Sequence, residues 1–321
     1  VHAENLTYRI PQATVLAVAD VVIDAAQALA HRLNIPVVTR DYQEVLHHPD
    51  IDAVLVCSST DTHAAIIRDA AAAGKHIFTE KPIDLDLAVV DSALAAVERA
   101  GVKFFVGFNR RFDPNFARVR QAVQDGAVGE VHLIHIISRD PAPPPIEYVR
   151  VSGGLFMDMM IHDFDMARFL VGSEVEEVYA RAAVRVDPAI GQAGDVDTAV
   201  VMLTFANGVI GTIDNSRRAV YGYDQRVEVF GSKGAATAAN VYPNQVTFST
   251  AETVHRDLPL NFFMDRYTES YVREVQAFVD CIVHDTPPAT TGLDGRIPVV
   301  MAKAARRSLD EGRPVRLSEI A

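Results

Sequence analysis

Residues 51–82 read IDAVLVCSSTDTHAAIIRDAAAAGKHIFTEKP. The run Ala53–Cys57 is short and apolar throughout, as a strand buried on both faces must be. A small hydroxyl-rich turn, Ser58-Ser59-Thr60, leads into a stretch of helical period from His63 to Ala73. Gly74 can close that helix in the left-handed conformation without a Cβ penalty, and a second apolar run, His76–Thr79, follows at once. Strand, helix and strand at this spacing predict a βαβ unit with parallel strands.

The same texture continues in both directions. Strand-like runs occur at Val15–Ala19, Val37-Val38 and Lys103–Val106, with helical stretches at Val22–Leu33, Asp41–His48 and Asp86–Ala100, the last closed by Gly101. The first ten residues already read as part of a helix. Together these predict a doubly wound parallel sheet up to about residue 110. Beyond it the alternation lengthens: Val131–Ser138, Thr198–Phe205, Val209–Asp214 and Gln225–Phe230 have period two, and turn signals such as Ala206-Asn207-Gly208 separate several of them. Helices are expected over Asp158–Leu170, Tyr267–His284 and Gly295–Leu309, which gives an α+β second domain with a largely antiparallel sheet. A length of 321 residues, at about 150 per domain, also suggests two domains. The expected boundaries are 1–110 and 111–321, with the last helix packing back on the first domain. Pro141-Ala-Pro-Pro-Pro145 reads as a stiff surface loop.

Charge narrows the partners. Forty-two acidic against 30 basic residues give a formal charge of −12, which argues against a nucleic-acid ligand, whose phosphates need clustered Lys and Arg. The apolar stretch from Ala13 to Ala30 is broken by Asp20, Asp24 and Gln27, so no membrane span is expected. Cys57 and Cys281, the only cysteines, have no metal-type spacing and read as free thiols of a cytoplasmic protein.

Four constellations carry chemistry. Asp20 ends a strand of the parallel half, where dinucleotide-binding folds place an acid on the ribose hydroxyls; helix capping is the alternative. Val21 and Val22 beside it offer no cation for a 2′-phosphate, which favours NAD over NADP. Ser58, Ser59, Thr60 and His63 stand at the carboxyl end of another strand, facing the expected ligand crevice, although any strand-to-helix turn uses such residues. Glu80-Lys81-Pro82 follows a third strand; there Lys81 presents a fixed positive charge suited to a developing alkoxide, and the proline restricts the residue before it and can take the cis form. In Gly153-Gly154-Leu-Phe-Met-Asp158-Met-Met-Ile-His162-Asp-Phe-Asp165, Asp158 and His162 are i and i+4 on the expected helix. A carboxylate beside an imidazole suits a general base, while a shared metal ion or a helix cap are the competing readings. Two loops, around Arg111 (Asn109–Asp113) and around Tyr221 (Tyr221–Arg226), are weaker candidates.

In order along the chain, these residues resemble the Gfo/Idh/MocA oxidoreductases, above all the branch that oxidises inositols; the Glu80-Lys81-Pro82 and Asp158/His162 signatures carry the likeness. The resemblance spans essentially the whole chain. It implies a Rossmann domain that binds NAD, a C-terminal domain whose open sheet joins a homotetramer, and oxidation of a cyclic polyol, myo-inositol, to its 2-keto product, with no metal. By the same resemblance Lys81, Asp158 and His162 are catalytic. Lys81, Arg111, Asp158, His162, Asp165 and Tyr221 contact the polyol, and Asp20, Ser58, Ser59, Thr60, His63, Glu80 and Lys81 line the cofactor cleft. The family opens on a strand and a glycine-rich loop that this sequence does not contain, so a segment ahead of Val1 is expected to be missing. A dehydrogenase for another inositol isomer or an aldose, an NAD-dependent glycoside hydrolase and a non-catalytic dinucleotide sensor are the rival readings.

Overall fold

The structure, a computed structural model, describes residues 1–320. It divides into two compact units: Val1–Phe112 with Glu269–Ile297, and Asp113–Thr268 with the residues from Pro298 onward.

The first unit alternates helix and strand: α1 (His2–Arg9), β1 (Ala17–Ala19), α2 (Ile23–Leu33), β2 (Val37–Thr39), α3 (Tyr42–Leu46), β3 (Ala53–Val56), α4 (Thr60–Ala72), β4 (His76–Glu80), α5 (Leu87–Ala100) and β5 (Phe104–Gly107). All pairings are parallel, in two separate pieces, β1–β2 and β3–β4–β5. Local chemistry sets the element ends. Asp86 accepts bonds from the N–H groups of Ala88 and Val89 at the start of α5, and Gly101 closes it at φ 66°. Burial grades across the sheet: the side chains of β5 are fully buried, whereas β1 and most of β3 are half-buried. The returning segment 269–297 completes this core. Phe278 meets Phe78 and Phe105 edge-on at 5.8 and 5.9 Å, and Val275 and Val279 pack with Leu6 and Ile10. Each such side chain contributes about 2 kcal/mol by leaving water.

In the second unit α6 (Pro114–Gln124) is capped by Asp113 and followed by β6 (Val131–Arg139), α7 (Ile146–Val149), α8 (Gly154–Asp158), α9 (Ile161–Val171), β7 (Val175–Ala183), α10 (Pro188–Gln192), β8 (Thr198–Phe205), β9 (Ile210–Ser216), β10 (Asp224–Gly231) and β11 (Gly234–Ala238). A small hairpin, β12 (Thr247–Ser249) and β13 (Val254–Arg256), precedes α11 (Phe263–Val283), α12 (Gly292–Glu311) and β14 (Val315–Arg316). Seven strands form one sheet in the order β11-β10-β6-β9-β8-β7-β14. It is antiparallel except where β6 runs parallel to β9. Period two governs its faces: Val201 and Leu203 are buried, while Val200 and Met202 between them are exposed. Each of the two long helices carries one departure from a plain helical sequence or backbone. Tyr267 (φ −113°, ψ 16°) interrupts α11, and Pro298 lies inside α12.

Candidate active site

In the first unit the predicted cofactor residues gather at the carboxyl ends of parallel strands, where an open α/β sheet binds its ligand. Asp20 follows β1 directly and is exposed; one carboxyl oxygen accepts the Val22 N–H at 2.7 Å, so the residue also caps the turn into α2. Val21 and Val22 beside it are exposed, 84% and 59%, an apolar surface next to an acid. That pairing suits an adenosine, whose ring is flat and apolar and whose ribose offers hydroxyls. Ser58 and Ser59, between β3 and α4, are exposed as well, and the Ser59 hydroxyl makes no capping bond to α4. The residues present therefore fit the nucleoside side of a dinucleotide.

His63 has a different part. It is 1% exposed, and its ring nitrogens face the Pro82 and Ser58 carbonyls, each at 2.9 Å. It ties the turn after β3 to the turn after β4 instead of presenting its ring to solvent. The Lys81–Pro82 peptide is cis. Glu80 accepts from His2 Nε2 at 2.7 Å, which joins α1 to β4. Arg111, in a 3₁₀ turn over Asn109–Phe112, bonds Asp294 at 2.8 Å. Burial alone would raise the Asp294 carboxyl; the Arg111 charge and donors from Thr291 outweigh it and hold the group below the ordinary carboxylate value.

The second unit holds Asp158, His162, Asp165 and Tyr221. The expected single helix over Asp158–Leu170 does not form. Asp158 is the last residue of α8 and His162 the second of α9, with Met159 and Met160 between them. The reason lies in the backbone ladder: the N–H groups of both Met159 and Met160 turn back to the Leu155 carbonyl, and His162 N–H bonds the Met159 carbonyl at 3.4 Å. The i, i+4 relation of one helix therefore does not set the geometry of this pair. Both residues are half-buried, whereas Asp165 is 1% exposed within α9. Tyr221 donates to Asp224 at 2.5 Å and accepts from Arg139 at 3.0 Å.

Sequence reading missed the groups that hold Asp158. Tyr148 of α7 donates to its Oδ1 at 2.8 Å, and Arg217, 1% exposed, reaches its Oδ2 with both terminal nitrogens at 3.2 Å. Burial, followed by the Asp158 charge and their hydrogen bond, pushes the Tyr148 hydroxyl above its ordinary pKa, so it remains a donor. A signal for Arg217 was present: Gly211, Ile213 and Asn215 are the inward positions of β9, and the same period places residue 217 inward. Among the described residues no cluster of three or more His, Cys, Asp or Glu side chains could hold a metal ion. Among the described residues no helix is long and apolar enough to cross a membrane.

Comparison with known proteins makes the chain an NAD-dependent oxidoreductase acting on CH–OH groups. The profile of the oxidoreductase family with an NAD-binding Rossmann fold matches residues 1–108, and that of the GFO/IDH/MocA C-terminal domain matches residues 116–237. The chain belongs to the Gfo/Idh/MocA family. It is 49% identical over 320 residues to the myo-inositol 2-dehydrogenase of Thermotoga maritima, covering 100% of this chain and 96% of that one. Identity to the inositol 2-dehydrogenase of Rhizobium meliloti is 48% over 318 residues, 99% and 96% of the two chains. The crystal structure of Lactobacillus casei scyllo-inositol dehydrogenase with bound NAD(H) and scyllo-inositol superposes with a TM-score of 0.92 at 30% identity, covering 99% and 95%.

Proposed function

We propose that this chain oxidises a cyclic polyol, myo-inositol, to its 2-keto product, scyllo-inosose. The observation that carries the reading is full-length similarity near one-half identity to relatives named inositol 2-dehydrogenases. NAD, when bound, supplies the acceptor for the hydride that leaves the carbinol carbon. His162 takes the hydroxyl proton, Asp158 orients the imidazole and stabilises its charged form, and Lys81 holds the alkoxide-like oxygen by its charge. Arg111, Asp165 and Tyr221 are assigned the remaining polyol contacts, with Asp294 and Asp224 fixing the first and last of these in place. Asp20 holds the adenosine ribose, Ser58, Ser59 and Thr60 line the cofactor cleft, and Glu80 and His63 brace the turns beside it.

The reading extends to assembly. Val200, Met202, Ile210 and Phe230 are exposed on β8, β9 and β10, and register places them on one face: Thr204, two residues beyond Met202, opposes Ile210, and Leu133 opposes both Ile210 and Phe230. That apolar face supports a homotetramer joined through the sheet. Two free cysteines support a cytoplasmic setting. Likeness to the scyllo-inositol enzyme makes the scyllo isomer the second candidate substrate.

The test is NADH formation from NAD with myo-inositol, scyllo-inositol and D-glucose offered separately. Steady NADH accumulation, fastest with myo-inositol, is expected. Glycoside cleavage without net NADH would instead establish a hydrolase, and bound NAD with no turnover on any of the three would point to a sensor.

A further inference from the structure

Arg217 is a charged side chain that stability alone does not explain. Burying a guanidinium forfeits its hydration, and an apolar residue of similar volume generally serves a core as well or better. Its Nε has no hydrogen-bond partner, so the interior does not even satisfy the group fully. What its other nitrogens reach is specific. Both contact Asp158 Oδ2, and Nη2 also lies 4.0 Å from Asp195.

Those two carboxylates mark the two ends of α8. Asp195 accepts the Leu155 N–H with both oxygens, at 3.1 and 3.0 Å, at the start of the helix, and Asp158 is its final residue. Five residues are too few for a helix to hold itself together, because nucleation is costly and each end leaves orphan groups. Arg217 therefore bridges the ends of a helix that cannot set its own geometry. The Arg217 backbone is itself anchored, its N–H donating to the Asp197 carbonyl at 2.8 Å. Since the helical ladder is broken between Asp158 and His162, the Asp158 carboxylate needs an external reference, and Arg217 on Oδ2 with Tyr148 on Oδ1 provides one.

We infer that Arg217, assisted by Tyr148, is the positioning residue that fixes the Asp158 carboxylate for its work on His162. The inference rests on the assignment of Asp158 to the catalytic pair. Arg217 touches no reacting atom; it acts through Asp158.

The experiment compares Arg217→Met, Arg217→Lys, Tyr148→Phe, Asp158→Asn and the double variant Asp158→Asn/Arg217→Met, using NADH formation with myo-inositol and NADH binding by fluorescence. Arg217→Met should lower kcat about 100-fold, the cost of a displaced catalytic group, while the KM for NAD and NADH affinity stay within about twofold. Lysine restores the charge without the fork and should recover about tenfold of that loss. Tyr148→Phe, which removes a single donor and leaves the core intact, should cost about tenfold in kcat. Adding Arg217→Met to Asp158→Asn should cost nothing further, because the function lost is the same. A folded Arg217→Met enzyme with near-normal kcat overturns the inference, as does a full additional loss in the double variant. If Arg217→Met does not fold, undiminished kcat in Tyr148→Phe overturns it. Normal turnover in Asp158→Asn would overturn the catalytic assignment itself, an outcome separate from activity in Arg217→Met alongside an inactive Asp158→Asn.

Discussion

Glu274 is fully buried with neither carboxyl oxygen hydrogen-bonded, and the charge that faces it is a second carboxylate, Glu80. Burial first, then the Glu80 charge, raises the Glu274 pKa well above its ordinary 4.5. The folded chain thus keeps a proton that the unfolded chain has released, and stability falls as pH rises from the unfolded value toward the raised one. Each pH unit in that window removes about 1.4 kcal/mol. Glu274→Gln should flatten this dependence and raise the urea midpoint at about pH 8 more than at about pH 5. Equal shifts at the two pH values would show that Glu274 is not the titrating group.

Asp197 has the opposite sign. It is fully buried and accepts from the N–H groups of Arg185, Val186 and Asp187 at 2.7, 2.8 and 3.0 Å and from the Thr198 hydroxyl at 3.0 Å. Burial by itself would raise its pKa, but these donors together hold it below the ordinary value. Its stabilisation is therefore present above the unfolded carboxylate pKa and is lost as pH falls through the lower, folded value. Asp197→Asn should cost about 3 kcal/mol at neutral pH and less in acid, read from circular dichroism melts across pH. A cost that does not shrink in acid would remove the carboxylate from the explanation.

Replacing His162 with Ala should leave NADH binding intact and lower turnover of myo-inositol about 1000-fold, in the range that a general base supplies. Fluorescence titration and initial rates read the two effects separately. Turnover within about threefold of the parent would leave His162 outside the chemistry.

His63→Phe keeps a ring of similar size in the buried site but removes both ring nitrogens that face the Pro82 and Ser58 carbonyls. The expected cost is about 2 kcal/mol of stability, with a raised KM for NAD because the turns after β3 and β4 are no longer tied. His63→Gln, which retains one donor, should recover part of both. An unchanged melting temperature in His63→Phe would mean that the two turns stand without the ring.

Much of the fold was legible because its signals are local. The apolar runs at Ala53–Cys57 and Lys103–Val106, and glycines that do adopt positive φ at Gly74 and Gly101, announced the parallel half. The strand ends at which the proposed cofactor residues stand followed from the same pattern. What stayed hidden depends on contacts distant in sequence. The parallel register of β6 with β9, Leu133 opposite Ile210, has no local marker. Nor does the break after Asp158: the residues from Leu155 to Leu170 keep helical spacing throughout, and only the shared Leu155 carbonyl reveals the interruption. Tyr148 and Arg217 meet Asp158 from positions ten and fifty-nine residues away, beyond the reach of any motif.

The first unit closes its core with side chains supplied more than 150 residues later, and this bears on how the chain can be divided. A fragment ending at Phe112 would contain β1 to β5 yet leave Phe78 and Phe105 facing water where Phe278 belongs, and Leu6 and Ile10 without Val275 and Val279. A nascent chain emerging from the ribosome meets the same condition. Its nucleotide-binding half must wait, incompletely packed, until the segment 269–297 has been made.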